Sequence, residues 1–286
     1  MGANAAPRTK WTLFALSILI MIWTVVPLVW MVGLSLKAPN DLALPGKAAF
    51  GNFWPTNPTT ENYELIFTGG ASDLFMPALR NSFVVCLVAT LIAVVLAMFC
   101  AYAISRLEFP GKRLILSTAL VVSFFPVIAM VTPLYDLWRQ IGLFDTIPGL
   151  ILPYLALTLP LAIWTMTAFF RQIPWEMEQA AQVDGASNWE AFRKVIVPLA
   201  TPGVFTTAII TFFIAWNDFV FAISLTSDKA RTVPAALAFF TGASQFTQPT
   251  GAIMAAAVVV TVPVVVLVLI FQQRIVAGLT SGAVKG

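Results

Sequence analysis

Between two strongly apolar stretches lies a polar run, Glu178-Gln179-Ala180-Ala181-Gln182-Val183-Asp184-Gly185-Ala186, followed by Val195-Ile196-Val197-Pro198-Leu199. Its residue types suit docking rather than catalysis. Glu178, Gln179 and Asp184 can hydrogen-bond a partner, and Ala180 and Ala181 are small enough to let one approach closely. Trp175, Met177 and Val183 would otherwise face water or lipid headgroups. The local signals write helix, turn, helix. Pro174 suits a first helical position, and Glu176 and Glu178 follow where the helix dipole favours acids. Gly185 supplies a C-terminal stop. Ser187 and Glu190 have the spacing of a capping box that opens a second helix, which Pro198 and Pro202 are expected to end. On these residues alone, a helix pair that only packs on its own bundle at the membrane interface is an equal alternative.

Chemistry elsewhere is sparse. Histidine is absent, which removes the commonest general base and metal ligand. The sequence holds no G-x-x-x-x-G-K-[ST] phosphate-cradling loop. It holds neither a G-x-S-x-G elbow nor a metal-ligand cluster, so no catalytic or metal-binding residue is expected. Cys86 and Cys100 lie fourteen residues apart in one apolar segment, about 21 Å along a helix. They cannot bridge each other, and both are expected to be buried thiols. Basic residues never gather with interleaved aromatics, so nucleic acid is not an expected partner. Asp218 is the one acid well inside an apolar stretch. Such a residue costs about 2.5–3.5 kcal/mol at a bilayer centre, which makes it a candidate functional group. With Trp216 and Asn217 it could offer a sugar an aromatic face and hydrogen bonds. A helix-packing network is an equal reading. Asn81 carries a weaker version of the same argument.

The elements that must position these residues are apolar. The 286-residue chain is 59% hydrophobic and 10% charged, with a mean hydropathy of +0.88 and a net charge of +3. Soluble domains carry about 25% charged residues, so the chain reads as an all-α polytopic membrane protein. Six stretches are long enough to span: Trp11–Leu36, Ala78–Ser105, Leu114–Tyr135, Ile147–Phe170, Pro202–Leu225 and Gly251–Phe271. The first is too long for a typical signal-peptide core and is expected to be retained. Pro27, Pro126, Pro153, Pro160 and Pro263 fall in or near these spans and predict kinks.

Orientation follows from the flanking bases. Arg8, Lys10, Arg106, Lys112, Arg113, Arg171, Arg193, Lys194, Arg274 and Lys285 share one side. Lys37, Lys47, Arg80, Arg139, Lys229 and Arg231 share the other, ten against six. Both termini are therefore expected in the cytoplasm, beside the polar run. The external segments Lys37–Pro77 and Thr226–Thr250 are expected to be long loops, and Arg106–Arg113 a tight Pro-Gly turn.

The run also resembles a family. E-A-A-x-x-x-G, followed after about nine residues by I-x-L-P, marks the membrane subunits of binding-protein-dependent ABC importers. Here it is spelled Gln179-Ala180-Ala181-Gln182-Val183-Asp184-Gly185-Ala186, then Ile196-Val197-Pro198. Glutamine replaces the usual first glutamate, and the final motif departs as well. Glu178 stands next to the substituted position as a possible replacement charge. Asn81-Ser82, Ala103 to Gly111, Trp216-Asn217-Asp218 and the tail from Arg274 to Gly286 are similar to MalG-type sugar permeases. Phe240 to Phe246 and the tail look most like actinobacterial trehalose importer permeases.

The resemblance implies a type I ABC importer (MetI-like) fold of six transmembrane helices with cytoplasmic coupling helices, in the cell membrane. It divides the chain into a tail, first span and external loop (1–77), a core (78–273) holding the coupling segment 172–200, and a cytoplasmic tail (274–286). It implies a second permease subunit in a heterodimer, two ATPase subunits carrying ATP and Mg, and an extracytoplasmic binding protein or lipoprotein that delivers sugar. A disaccharide is implied, trehalose ahead of maltose, and this chain binds no cofactor itself. Glu178, Gln179, Ala180, Ala181, Asp184, Gly185, Ala186 and Pro198 would meet the ATPase, as would the tail at Gly278, Thr280 and Gly282. Asn81, Trp216, Asn217 and Asp218 would line the substrate path or gate. Ser244, Gln245, Phe246, Thr247, Gln248 and Pro249 would contact the binding protein. The main rival is an ion-coupled secondary transporter. That mechanism usually needs several paired intramembrane charges or an evident repeat, and this sequence shows one deep acid and no clear repeat.

Overall fold

The computed structural model describes residues 7–38, 42, 54–240 and 249–281, with side chains described from 10 to 271 within them. Every regular element among these residues is helical. In chain order they are α1 (Pro7–Ser35), α2 (Glu61–Phe67), α3 (Ser72–Arg106), α4 (Lys112–Ser123), α5 (Val127–Ile141), α6 (Ile147–Phe170) and α7 (Trp175–Val183). Next come α8 (Asn188–Ala191), a π-helical turn (Phe192–Ile196), α9 (Val197–Leu199), α10 (Thr201–Trp216), α11 (Val220–Leu225), α12 (Val233–Leu237) and α13 (Thr250–Ser281). Among the described residues, four helices are long and apolar enough to cross a membrane, and six spans result if each of two bent pairs counts as one.

The expected spans hold with physical exceptions. α6 has the expected limits, fixed at its start by Thr146, whose hydroxyl accepts from the Gly149 N–H. α3 begins at Ser72, so the external segment before it is shorter than expected, and it also contains α2. The third span is two helices meeting at 90° across Phe124–Pro126. Pro126 lacks an N–H and disfavours helical backbone at Phe125, which breaks the ladder there. The fifth span is interrupted as well. α10 ends at Trp216, where the Asn217 amide turns back onto the Phe213 carbonyl at 2.8 Å. The external segment after it holds the short α12 rather than loop alone.

The chain divides into two compact units, residues 1–76 with 239–262 and residues 77–238 with 263–286. In the first, the α1 residues from Lys10 to Val29 are all exposed. The C-terminal end of α1 is tied down by buried Asn62, which donates to the carbonyls of Ser35 at 3.0 Å and Lys37 at 2.6 Å. In the second, Ala97 and Ala101 of α3 pack with Ala162, Met166 and Phe170 of α6. Phe192, Ile196 and Ala200 close this core from the side of the polar run. Small residues let backbones approach where no hydrophobic force between helices exists in lipid. Gly203 of α10 is such a residue, because a Cβ there would lie 2.4 Å from Cγ of Phe169 on α6. Cys86 is buried as expected, but Cys100 is exposed, since its helix turns that face outward.

At the other end of the second unit one carboxylate organises a whole loop. Asp145 accepts from the consecutive N–H groups of Ser227, Asp228, Lys229 and Ala230 and from the Ser227 hydroxyl. Asn81 holds the opposite edge, donating to the carbonyls of Lys229 at 2.8 Å and Arg231 at 3.0 Å. Ser82 Oγ accepts from the Val233 N–H at 2.8 Å. Partial burial pushes the Asp145 pKa up, but the four backbone donors outweigh it and hold the carboxyl at about 2.

Two outcomes follow. Gly203→Val should force α6 and α10 apart at a cost of about 1–3 kcal/mol, read as a lower thermal midpoint of the purified chain. Asp145 is held below its unfolded value, so its contribution is complete above that value and is lost as pH falls through about 4 towards about 2. The stability margin of the wild type over Asp145→Asn should therefore shrink across that window in thermal melts, and a margin constant with pH would contradict the assignment.

Candidate functional site

The polar run folds as helix, turn, helix. Pro174 is the N-cap of α7, one position earlier than expected. The end of α7 has the two bonds of a Schellman turn. Gly185 N–H donates to Gln182 O at 3.0 Å and Ala186 N–H to Ala181 O at 2.9 Å. Gly185 has φ +90°, with open space around its missing side chain, so only backbone conformation demands glycine there. The capping box of α8 is complete, with Ser187 Oγ accepting from the Glu190 N–H and Glu190 accepting from the Ser187 N–H.

Pro198 does not end the second helix. The chain passes through the π turn at Phe192–Ile196 and stays helical to Leu199, and Pro198 lies inside α9. A π turn absorbs one residue and changes which carbonyls need donors, so a proline that lacks an N–H fits directly after it. The continuous piece Asn188–Leu199 then meets α10 at 72°.

The pair has two chemically distinct faces. Gln179, Ala180, Asp184, Gly185 and Pro198 are exposed, and Ala181 and Ala186 are half-buried. Val183 is 86% exposed. Glu178, grouped above with the ATPase contacts, faces the other way and is 3% exposed. Its Oε1 accepts from Tyr102 Oη at 2.5 Å. Its Oε2 lies 3.3 Å from Nε of Arg106, close enough for strong attraction though misaligned for a hydrogen bond. Arg106 is the last residue of α3 and is itself buried. Its Nη2 donates to Ile173 O at 2.8 Å, and its guanidinium stacks 4.7 Å from the centre of the Trp175 ring. Removing one member of such a buried pair usually costs about 3–5 kcal/mol, because the other charge is stranded. Glu178 is therefore turned away from the outward face, which presents Gln179 instead.

Above this tie, Phe192 packs edge-on against Tyr102 at 4.8 Å and near-parallel to Trp189 at 5.5 Å, and Phe99 lies against both Phe192 and Trp189. The second short helix is thereby fixed to α3 as well. Tyr102 and Arg106 belong to this site but were not expected in it. Arg106 counted as a flanking charge, as the start of a turn and within a segment similar to MalG-type permeases, none of which points to Glu178, and a single Tyr at the end of an apolar stretch carries no local signal.

The second group of expected residues sits at the break in the fifth span. Asp218 accepts from the N–H groups of Ala222 at 3.1 Å and Phe221 at 3.5 Å, so its carboxylate caps α11. Tyr154, Cys86 and Asp218 are electrostatic neighbours in this region. Trp216 is buried, edge-on to Phe83 at 5.0 Å and stacked on Phe212 at 5.2 Å. Asn217 is exposed. Asn81 stands apart from this group in role, because its amide is engaged with the external loop. Residues 244–248 and Gly282 lie outside the described residues, while Pro249 directly precedes α13. Gly278 and Thr280 lie in α13, which runs as helix to Ser281. Among the described residues no group of His, Cys, Asp or Glu could hold a metal.

Comparison with known proteins agrees with this architecture. Residues 93–281 match the family model described as binding-protein-dependent transport system inner membrane component. The chain is 54% identical to the trehalose transport system permease protein SugB of Mycobacterium tuberculosis, over 100% of both chains. It is 38% identical to the trehalose/maltose transport system permease protein MalG of Thermococcus litoralis, covering 94% of this chain and 95% of that one. A chain of a bacterial ABC transporter that imports the polysaccharide alginate superposes with a TM-score of 0.76 over 94% of this chain and 98% of its own, at 17% identity, which speaks for the fold alone. With its helical spans and its capped polar helix pair, this chain belongs to the family of binding-protein-dependent transport system inner membrane components, the non-enzymatic permease subunits of ABC importers.

Proposed function

We propose that this chain is one of two permease halves of an ATP-driven importer of a disaccharide, with trehalose as the substrate the relatives favour. The helix pair α7–α8 is the seat for a separate ATPase subunit. The observation that carries this reading is the pair's outward face, where Gln179, Ala180, Asp184 and Gly185 are exposed around a turn closed by its own hydrogen bonds. A turn that needs no partner for its backbone is free to use its surface on one. The distribution of basic flanks, ten against six, supports a cytoplasmic position for this face and both termini. Two ATPases, carrying ATP and Mg, and a second permease complete the assembly, and an extracytoplasmic binding protein delivers the sugar to the opposite side.

The break at Asn217–Phe219 is our candidate for the substrate path or gate. A helix that ends within a span leaves polar backbone in the membrane, which is tolerated where it lines a cavity or is re-satisfied by side chains. Asp218 and Asn217 supply part of that satisfaction, and Trp216 gives the break an aromatic wall. The segment from Ser244 to Pro249 is our candidate for binding-protein contact, and the tail at Gly278, Thr280 and Gly282 for a second ATPase contact.

Uptake by the reconstituted complex with its binding protein tests the reading. Labelled trehalose should enter in the presence of an ionophore, and uptake should stop when the ATPase is inactivated. Transport abolished by the ionophore with ATP hydrolysis intact would favour an ion-coupled carrier. Gly185→Val places a β-branched residue at φ +90°, a strain of about 1–3 kcal/mol. It should reduce uptake several-fold while the complex still assembles, and unchanged uptake would count against the turn's role.

A further inference from the structure

The buried contact between α3 and α7 does something the outward face cannot. Within α7, Gln179 and Ala180 are exposed while the adjacent Glu178 is sealed against the last turn of α3. A helix of nine residues has little capacity to transmit force unless it is fixed to something longer. α3, with 35 residues and one of the spans, is that longer element. Four contacts converge on the junction. Arg106 reaches Glu178, the Ile173 carbonyl and the Trp175 ring, and Tyr102 reaches the second Glu178 oxygen. They grip α7 at its first turn, the segment just before it and the middle of its inner face.

We propose that Arg106 and Glu178 form the strut that carries motion of α7 into α3, so that the two move as one body when the ATPases close. This rests on the reading of α7 as the ATPase seat. Arg106 and Glu178 are positioning residues: neither touches substrate, and neither faces the expected partner. The chemistry favours a strut over a switch. A buried carboxylate has no water to replace its guanidinium partner, so any separation of the two helices strands both charges. The guanidinium holds direction as well as distance, because its Nη2 and its planar face are fixed by the Ile173 carbonyl and Trp175. Lysine in its place would keep the charge and lose the fork and the stack.

The test uses the complete transporter in proteoliposomes with its binding protein, and reads sugar taken up per ATP hydrolysed. Arg106→Met and Glu178→Gln should lower this ratio by about tenfold, within the usual range for coupled sites, with ATP hydrolysis retained. Arg106→Lys should fall between them and wild type. A cysteine at Gln179→Cys, introduced with Cys86→Ala and Cys100→Ala so that it is unique in this chain and cross-linked to the ATPase, separates the two levels of the claim. Cross-linking with an unchanged ratio in both variants overturns the strut and leaves the docking reading standing. No cross-linking in the otherwise wild-type complex overturns the docking reading and the strut with it. Where Arg106→Met lowers assembly, Glu178→Gln, which keeps an acceptor for Tyr102, is decisive. Reduced assembly with a normal ratio per assembled complex also contradicts the inference, since the pair would then serve stability alone.

Discussion

A buried carboxylate beside a buried guanidinium strongly favours one arrangement, and that constraint fixes the end of the second unit that carries the polar helix pair. Glu178 and Arg106 are both nearly inaccessible, and each has further partners that hold its orientation. α7 must therefore lie against the last turn of α3 with its opposite face outward. The Schellman turn at Gly185 and the capping box at Ser187 then direct α8 back to the same helix, where Phe192 and Trp189 meet Phe99 and Tyr102. The exposed surface of Gln179, Ala180 and Asp184 is a consequence of what the inward face is bound to.

The same economy of backbone donors governs the interrupted spans. A bilayer offers no water to an unpaired carbonyl or N–H, so each break carries its own remedy. Asn217 returns to the Phe213 carbonyl, and Asp218 takes the first free N–H groups of α11. Pro198 follows a π turn rather than interrupting a regular helix. Asp145 and Asn81 treat the loop after α11 in the same way, one collecting its donors and the other its acceptors. A loop satisfied on both edges is a defined surface.

Much of this was legible in the sequence, for local reasons. Gly185, Ser187 and Glu190 act within a few residues, so spacing alone revealed the turn and the cap. The limits of α6 were clear because its apolar stretch is continuous over a spanning length, and Thr146 caps its start. What escaped was long-range or depended on a competing local bond. The Tyr102–Arg106–Glu178 contact joins residues far apart in sequence, and nothing at either position announces the other. Pro198 looked like a helix end because a π turn has no sequence signature. Leu114–Tyr135 read as one span because its apolar character continues through Phe124 and Phe125, while Pro126 sets the bend. Asn81 looked like a polar group available to substrate, and its carbonyl partners lie about 150 positions away, beyond any sequence pattern.

Determining the assembled transporter in its nucleotide-free and ATP-bound states would test the central claim most directly. The account expects the α7–α8 turn to be seated on the ATPase in both, with Glu178 and Arg106 still in contact while α3 and α7 shift together. A Gly185 turn facing lipid or the outer side, or a Glu178 carboxylate that leaves Arg106 between the two states, would contradict it.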